Sequence, residues 1–165
     1  MSKVIKEFSR FAHQYNHYNT IQMQVAKRLV SLIPQVHYSS ILDMGCGSGQ
    51  IYKNLEAKAI SFDSMTVLDS SKEMLAEHPQ MDNITNVCAN FNTDAFITAL
   101  DQKSYELLLS SSALQWSEDL DLTLSAIASL SQQAYFAIFT SGTFRTCIKQ
   151  QKLLLPSMTP RHCRI

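Results

Sequence analysis

The feature that most constrains this chain is a cluster of glycines. At average usage of about 7%, a chain of this length would hold roughly eleven or twelve, yet there are four, and three of them, Gly45, Gly47 and Gly49, fall within five residues. Glycine is retained where a Cβ cannot be tolerated, at positive φ or where backbone must come close to another group. Ile41 to Met44, a short apolar run, leads into the cluster, and a helical pattern from Ser48 to Ala57 leaves it. The segment therefore reads strand, glycine turn, helix: Asp43-Met44-Gly45-Cys46-Gly47-Ser48-Gly49. In an open α/β sheet such a turn lies at the carboxyl ends of the strands, where ligands bind.

The same alternation runs along the chain. Strands are predicted at Met65–Leu68, Asn83–Ala89, Tyr105–Ser110 and Ala134–Thr140. Helices are predicted from Ser71 to about His78, over Thr93–Leu100 and over Glu118–Leu130, with Leu120, Leu124, Ile127 and Ala128 turned inward. Ser71 reads as a helix cap and Pro79 as a stop. Leu107 to Leu109 is continuously apolar, as suits a parallel strand buried on both faces. Five strands alternating with helices predict a parallel sheet with right-handed crossovers. Before it, Ile5 to Ile33 reads as helix broken near Asn16 to Asn19. Its second stripe is Ile21, Val25, Ala26, Leu29 and Ile33, and Pro34 ends it. No repeat or linker divides the 165 residues, so a single domain is expected over 1–155, with N-terminal helices to 38 and an α/β core over 39–145. Residues 156–165 read as a disordered tail.

Fourteen Lys and Arg balance fourteen Asp and Glu, which argues against a nucleic-acid-binding surface. No run approaches 18 apolar residues, and Met1 to Arg10 is polar, so neither a membrane span nor a secretory leader is expected. Cys46, Cys88, Cys147 and Cys163 form no C-x-x-C pair, and two sit in apolar runs that read as core. Reduced thiols in the cytoplasm follow. His13 and His17 share a helix face with no third ligand, and no metal site is expected.

Two ligand classes compete for the glycine turn. A dinucleotide fingerprint needs its third glycine at position 50, which is Gln50. The spacing is G-x-G-x-G instead, and Asp43 two residues before it favours a ligand bearing a cation. Asp69 ends the second strand 20 residues beyond Gly49, a position from which a carboxylate can accept both hydroxyls of a ribose diol. A strand-end carboxylate of this kind is expected to add little to core stability.

ILDMGCGSG followed by VLDSSKEML resembles the class I S-adenosylmethionine (SAM) methyltransferases, whose signatures are an acidic-x-G-x-G-x-G loop and a D-x-S-x-x-M-L segment. The resemblance implies a Rossmann-like fold with SAM as cofactor. Asp43, Gly45, Cys46, Gly47 and Gly49 would hold the methionine end and Asp69 the ribose, with Ser70 and Met74 among the cofactor-binding residues. Asn90 stands where the family has an acidic residue for the adenine amino group, Phe91 would flank the base, and Ser110 completes the set.

More narrowly, FSRFAHQYNHYNTIQ at 8–22, SSSALQW at 110–116 and FTSGTF at 139–144 resemble the malonyl-acyl-carrier-protein O-methyltransferases of biotin synthesis. That implies Tyr15, Gln22, Gln115 and Trp116 as substrate-binding residues, with Tyr15, Gln115 and Trp116 positioning the reactants. No catalytic acid or base is implied, because a malonyl carboxylate is already a nucleophile and alignment suffices. The implied partner is a malonyl thioester on acyl-carrier protein or coenzyme A. The family fold has seven strands, of which this chain supplies five. The resemblance thus implies that the last antiparallel strands are missing, that an N-terminal helical lid is present, and that the fifth strand is a bare edge open to self-association. Other readings are methylation of another small acid or quinone precursor, or a non-catalytic SAM-binding protein.

Overall fold

The computed structural model describes residues 19–102, 104–140 and 142–143. The predicted helix before Asn19, Tyr15, the two histidines, Cys147, Cys163 and the tail lie outside the described residues. Within them the order is α1 (Thr20–Ser31), β1 (His37–Met44), α2 (Gln50–Ala57), β2 (Ser61–Asp69), α3 (Lys72–Glu77), β3 (Ile84–Cys88), α4 (Ala95–Ala99), β4 (Tyr105–Ser111), a 3-10 turn (Leu114–Trp116), α5 (Leu120–Leu130) and β5 (Ser131–Ala137). The five strands form one all-parallel sheet in the order β3-β2-β1-β4-β5.

The centre of the sheet is sealed on both faces because its strands are apolar at consecutive positions. Ile41, Met65, Val67, Leu107 and Leu109 pack with Ala26 and Leu29 of α1, Ile51 and Leu55 of α2 and Leu75 of α3. Their neighbours Leu42, Met44, Leu68 and Leu108 face the other way, onto Phe96 of α4 and Ile127 and Leu130 of α5. The pleat sends successive residues to opposite layers. Lys58, just past α2, donates to the carbonyls of Val30 (3.2 Å) and Ile33 (2.6 Å), so a cation satisfies the carboxyl end of α1.

Several predicted boundaries move, each for a visible reason. β1 and β2 start earlier than their apolar runs because polar side chains join the strands' amino ends. His37 Nδ1 meets Ser61 Oγ at 2.9 Å, and Glu106 Oε2 accepts from the backbone N and the hydroxyl of Ser39 at 2.7 and 2.8 Å. β5 starts three residues before its prediction, because Ser131 leaves α5 directly in extended conformation (φ −144°, ψ 148°). In α5 the buried residues are Thr123, Ile127 and Leu130, and Leu124 is partly buried against the same core. Leu120, the first residue of the helix, is 38% exposed, and Ala128, about 100° round from Ile127, is also exposed. In α1 the inward stripe includes Val30 and not Ile21, which is 51% exposed. At about 100° per residue Ile21 points well away from Ala26, whereas Gln22 falls on the inward side. Cys46 is buried as core, but Cys88 at the end of β3 is exposed. β5 alternates between half-buried and exposed residues, with Phe136 41% exposed, as an edge strand does. Among the described residues no helix is long and apolar enough to cross a membrane.

Candidate functional site

The site grows from the turn after β1. Gly45 N and Cys46 N both donate to Leu68 O of β2, at 2.7 and 3.0 Å, which folds the turn over the sheet's carboxyl edge. All three glycines have positive φ (77°, 52° and 83°), but they answer different needs. A Cβ on Gly45 would lie 2.3 Å from the Cβ of Ala113, and one on Gly49 would lie 2.7 Å from Cδ of Pro79. Those two are demanded by packing against the protein itself. A Cβ on Gly47 would meet nothing within 4 Å; Gly47 lines open space.

Asp69 straps this turn to the next. Its Oδ2 accepts from Gly47 N at 3.0 Å and its Oδ1 from Ser71 N at 2.9 Å. Burial raises its pKa above the ordinary carboxylate value, and the bonds from backbone N–H groups oppose that shift. Ser71 Oγ accepts from Met74 N at 3.2 Å and so caps α3, as its sequence predicts. Beyond β3, Asn90 Oδ1 accepts from Asn92 N at 3.0 Å. Asn92 Nδ2 donates to Trp116 O at 3.1 Å and Asn92 Oδ1 accepts from Glu118 N at 2.9 Å. Asn92 thereby joins the loop after β3 to the loop after β4.

These loops and the start of α1 enclose a cavity of about 300 Å³. Of the residues singled out from sequence, Gln22, Gly45, Cys46, Gly47, Asp69, Ser70, Met74, Asn90, Phe91 and Trp116 line it. Four others do not. Gly49 packs on Pro79 and His78. Ser110 is fully buried and its Oγ donates to Met44 O at 2.7 Å, tying β4 to β1. Gln115 turns its Nε2 onto Ser112 O at 2.7 Å. Asp43 lies beneath the turn at 0% exposure, and neither of its oxygens has a hydrogen-bond partner. Burial, and secondarily the nearby Asp69, push its pKa well above 3.8. The same burial, with Asp43 and Asp69 close by, raises the Cys46 thiol, so it is no thiolate nucleophile. Sequence reasoning missed Asn19, Asn92, Ser111 and Ser112 on the wall. The three serines of Ser110–Ser112 look alike in sequence, and only the end of β4 separates the buried one from the two that line the space. No cluster of metal-ligating side chains occurs among the described residues.

A glycine turn, an acidic strand end and a cavity across the carboxyl edge of a β3-β2-β1-β4-β5 parallel sheet define the Rossmann-like fold of class I methyltransferases. Solved structures agree. The methyltransferase in a complex with the Trm112 methyltransferase activator of Haloferax volcanii superposes with a TM-score of 0.66 at 22% identity, over 80% of this chain and 59% of that one. The chain belongs to the methyltransferase domain family, whose model matches residues 42–133. Its curated relatives include malonyl-[acyl-carrier protein] O-methyltransferases. That of Hamiltonella defensa is 26% identical over 142 residues, 84% of this chain and 51% of its own length. That of Marinomonas sp. is 31% identical over 118 residues, 69% of this chain and 42% of its own. The chain thus spans about half the length of these relatives.

Proposed function

We propose that this chain is a SAM-dependent methyltransferase whose acceptor is the free carboxylate of a malonyl thioester carried on acyl-carrier protein or coenzyme A. The observation that carries the cofactor half is the cavity at the glycine turn, with open space at Gly47 and the Asp69 carboxylate on its wall. When bound, SAM supplies an activated methyl group on a sulfonium centre. Asp69, whose carboxylate lies on the cavity wall and has acceptor capacity beyond its backbone bonds, would accept the ribose hydroxyls. Phe91 and Asn90 would take the base, and the Gly45–Gly47 backbone the amino-acid end. Trp116 and Gln22, together with Tyr15, would keep water from the reacting groups, which raises the worth of alignment. The acceptor half rests on the names of the curated relatives. A cytoplasmic site of action and self-association through the β5 edge, where Phe136 is exposed, belong to the same reading.

A second reading is favoured by charge. The charged residues on the described wall are Asp69 and Glu118, with no Lys or Arg, which suits a neutral acceptor such as a quinone precursor better than a carboxylate. Calorimetry with SAM and S-adenosylhomocysteine tests the cofactor half; a folded protein that binds neither at millimolar ligand overturns it. Transfer of labelled methyl to malonyl-acyl-carrier protein, beside malonyl-coenzyme A and a hydroxylated quinone precursor, decides the acceptor. Turnover confined to the neutral acceptor overturns the malonyl reading.

A further inference from the structure

Asn19 precedes α1, and its amide is an anomaly. The residue is 2% exposed, and neither Nδ2 nor Oδ1 has a hydrogen-bond partner. It occupies the helix-capping position, where asparagine commonly accepts from a first-turn N–H, yet it makes no such bond. A buried amide stripped of water and given nothing in return is disfavoured. This one lines the cavity, where a ligand can complete it.

The layout of the sheet says which part of a ligand that would be. Asn90 and Phe91 follow β3 at one edge; Asp69 ends β2; Gly45 to Gly47 follow β1. α1 packs on α2, β4 and β5, so Asn19, Gln22 and Ala26 wall the cavity at the end away from Asn90 and Phe91. A nucleoside with its base at Phe91 and its ribose at Asp69 carries its 5′ substituent across the glycine turn towards Asn19. In SAM that substituent ends in an α-amino acid. With no Lys or Arg on the described wall, its carboxylate needs a neutral donor. A primary amide offers N–H donors to a carboxylate and a carbonyl acceptor to an ammonium group.

Resting on the SAM reading above, we propose that Asn19 binds the amino-acid head of the cofactor, Nδ2 donating to the carboxylate and Oδ1 accepting from the ammonium. The test is calorimetry of the full chain and its Asn19→Ala and Asn19→Asp variants with SAM, S-adenosylhomocysteine and 5′-methylthioadenosine, which keeps base, ribose and sulfur but lacks the amino acid. Asn19→Ala weakens the first two by about 10- to 100-fold and leaves the third within about twofold. Asn19→Asp keeps an acceptor for the ammonium but replaces the donor to the carboxylate by a like charge, so it too binds the first two less tightly than the parent chain and leaves the third within about twofold. Equal loss for all three ligands, or no loss for any, overturns the inference while SAM binding by the parent chain stands. A parent chain that binds neither SAM nor 5′-methylthioadenosine overturns the cofactor reading itself, and the inference with it. Should Asn19→Ala not fold, the side-chain amide resonances of 15N-labelled Asn19 in the parent chain decide. They shift with SAM and S-adenosylhomocysteine but not with 5′-methylthioadenosine; equal shifts with all three refute the assignment.

Discussion

Replacing Asp69 by alanine perturbs two properties that its carboxylate combines. The two oxygens accept from Gly47 N and Ser71 N, so alanine leaves both amides without a protein partner. Hydrogen bonds to a charged acceptor contribute about 1.5–3 kcal/mol each. Here the carboxylate is largely buried but borders the cavity, so cavity water can replace part of the loss, and relief of the buried charge offsets more. About 1–2 kcal/mol per bond remains, or about 2–4 kcal/mol in all, where the sequence alone suggested little. For a chain of this size that lowers the melting temperature by roughly 4–16 °C. Loss of the diol acceptor separately weakens SAM by about 10- to 150-fold. Asp69→Asn splits the effects, since an amide can accept on one side only and turns N–H against N–H on the other. It should show about half the thermal loss. The assay is differential scanning calorimetry without ligand, paired with titration of SAM. An unchanged melting temperature in Asp69→Ala refutes the strap; a lowered one with unchanged affinity refutes the ribose assignment.

Further outcomes follow from the same geometry. Asp43 has a raised folded pKa, so between 3.8 and that higher value the folded chain holds a proton that the unfolded chain has lost, and stability falls as pH rises through that window. Asp43→Asn should therefore match the parent chain below about pH 4 and gain on it progressively above; a stability difference independent of pH contradicts this. Gly45→Ala, with φ of 77° and a Cβ 2.3 Å from Ala113, should cost about 2–5 kcal/mol in urea unfolding. Gly47→Ala meets open space and should cost only about 1–2 kcal/mol while impairing SAM binding; equal costs would show that the Ala113 contact gives way. Ser110→Ala should lose about 1 kcal/mol with the bond to Met44 O and leave SAM affinity unchanged; weakened affinity would restore Ser110 to the site.

Much of this protein was legible in the order of its residues because the governing interactions are local. A strand sealed on both faces must be apolar at consecutive positions, and Leu107 to Leu109 announce one without any knowledge of their partners. A chain that must reverse at positive φ keeps glycine there, so Gly45, Gly47 and Gly49 mark the turn, and Asp69 follows at the spacing of the next strand end. Strand count, parallel class and the region of the site follow from such rules. Which side chains reach the ligand does not, because that depends on contacts between segments far apart. Asn92 matters through Trp116 and Glu118, more than twenty residues on. Asn19 matters because α1 lies against β4 and β5. Asp43, Ser110 and Gln115 sit within the right motifs yet point into the fold, one to a buried pocket without partners and two to backbone carbonyls. In a pleated sheet one residue of displacement separates core from cavity, and only the packed tertiary structure decides on which side each falls.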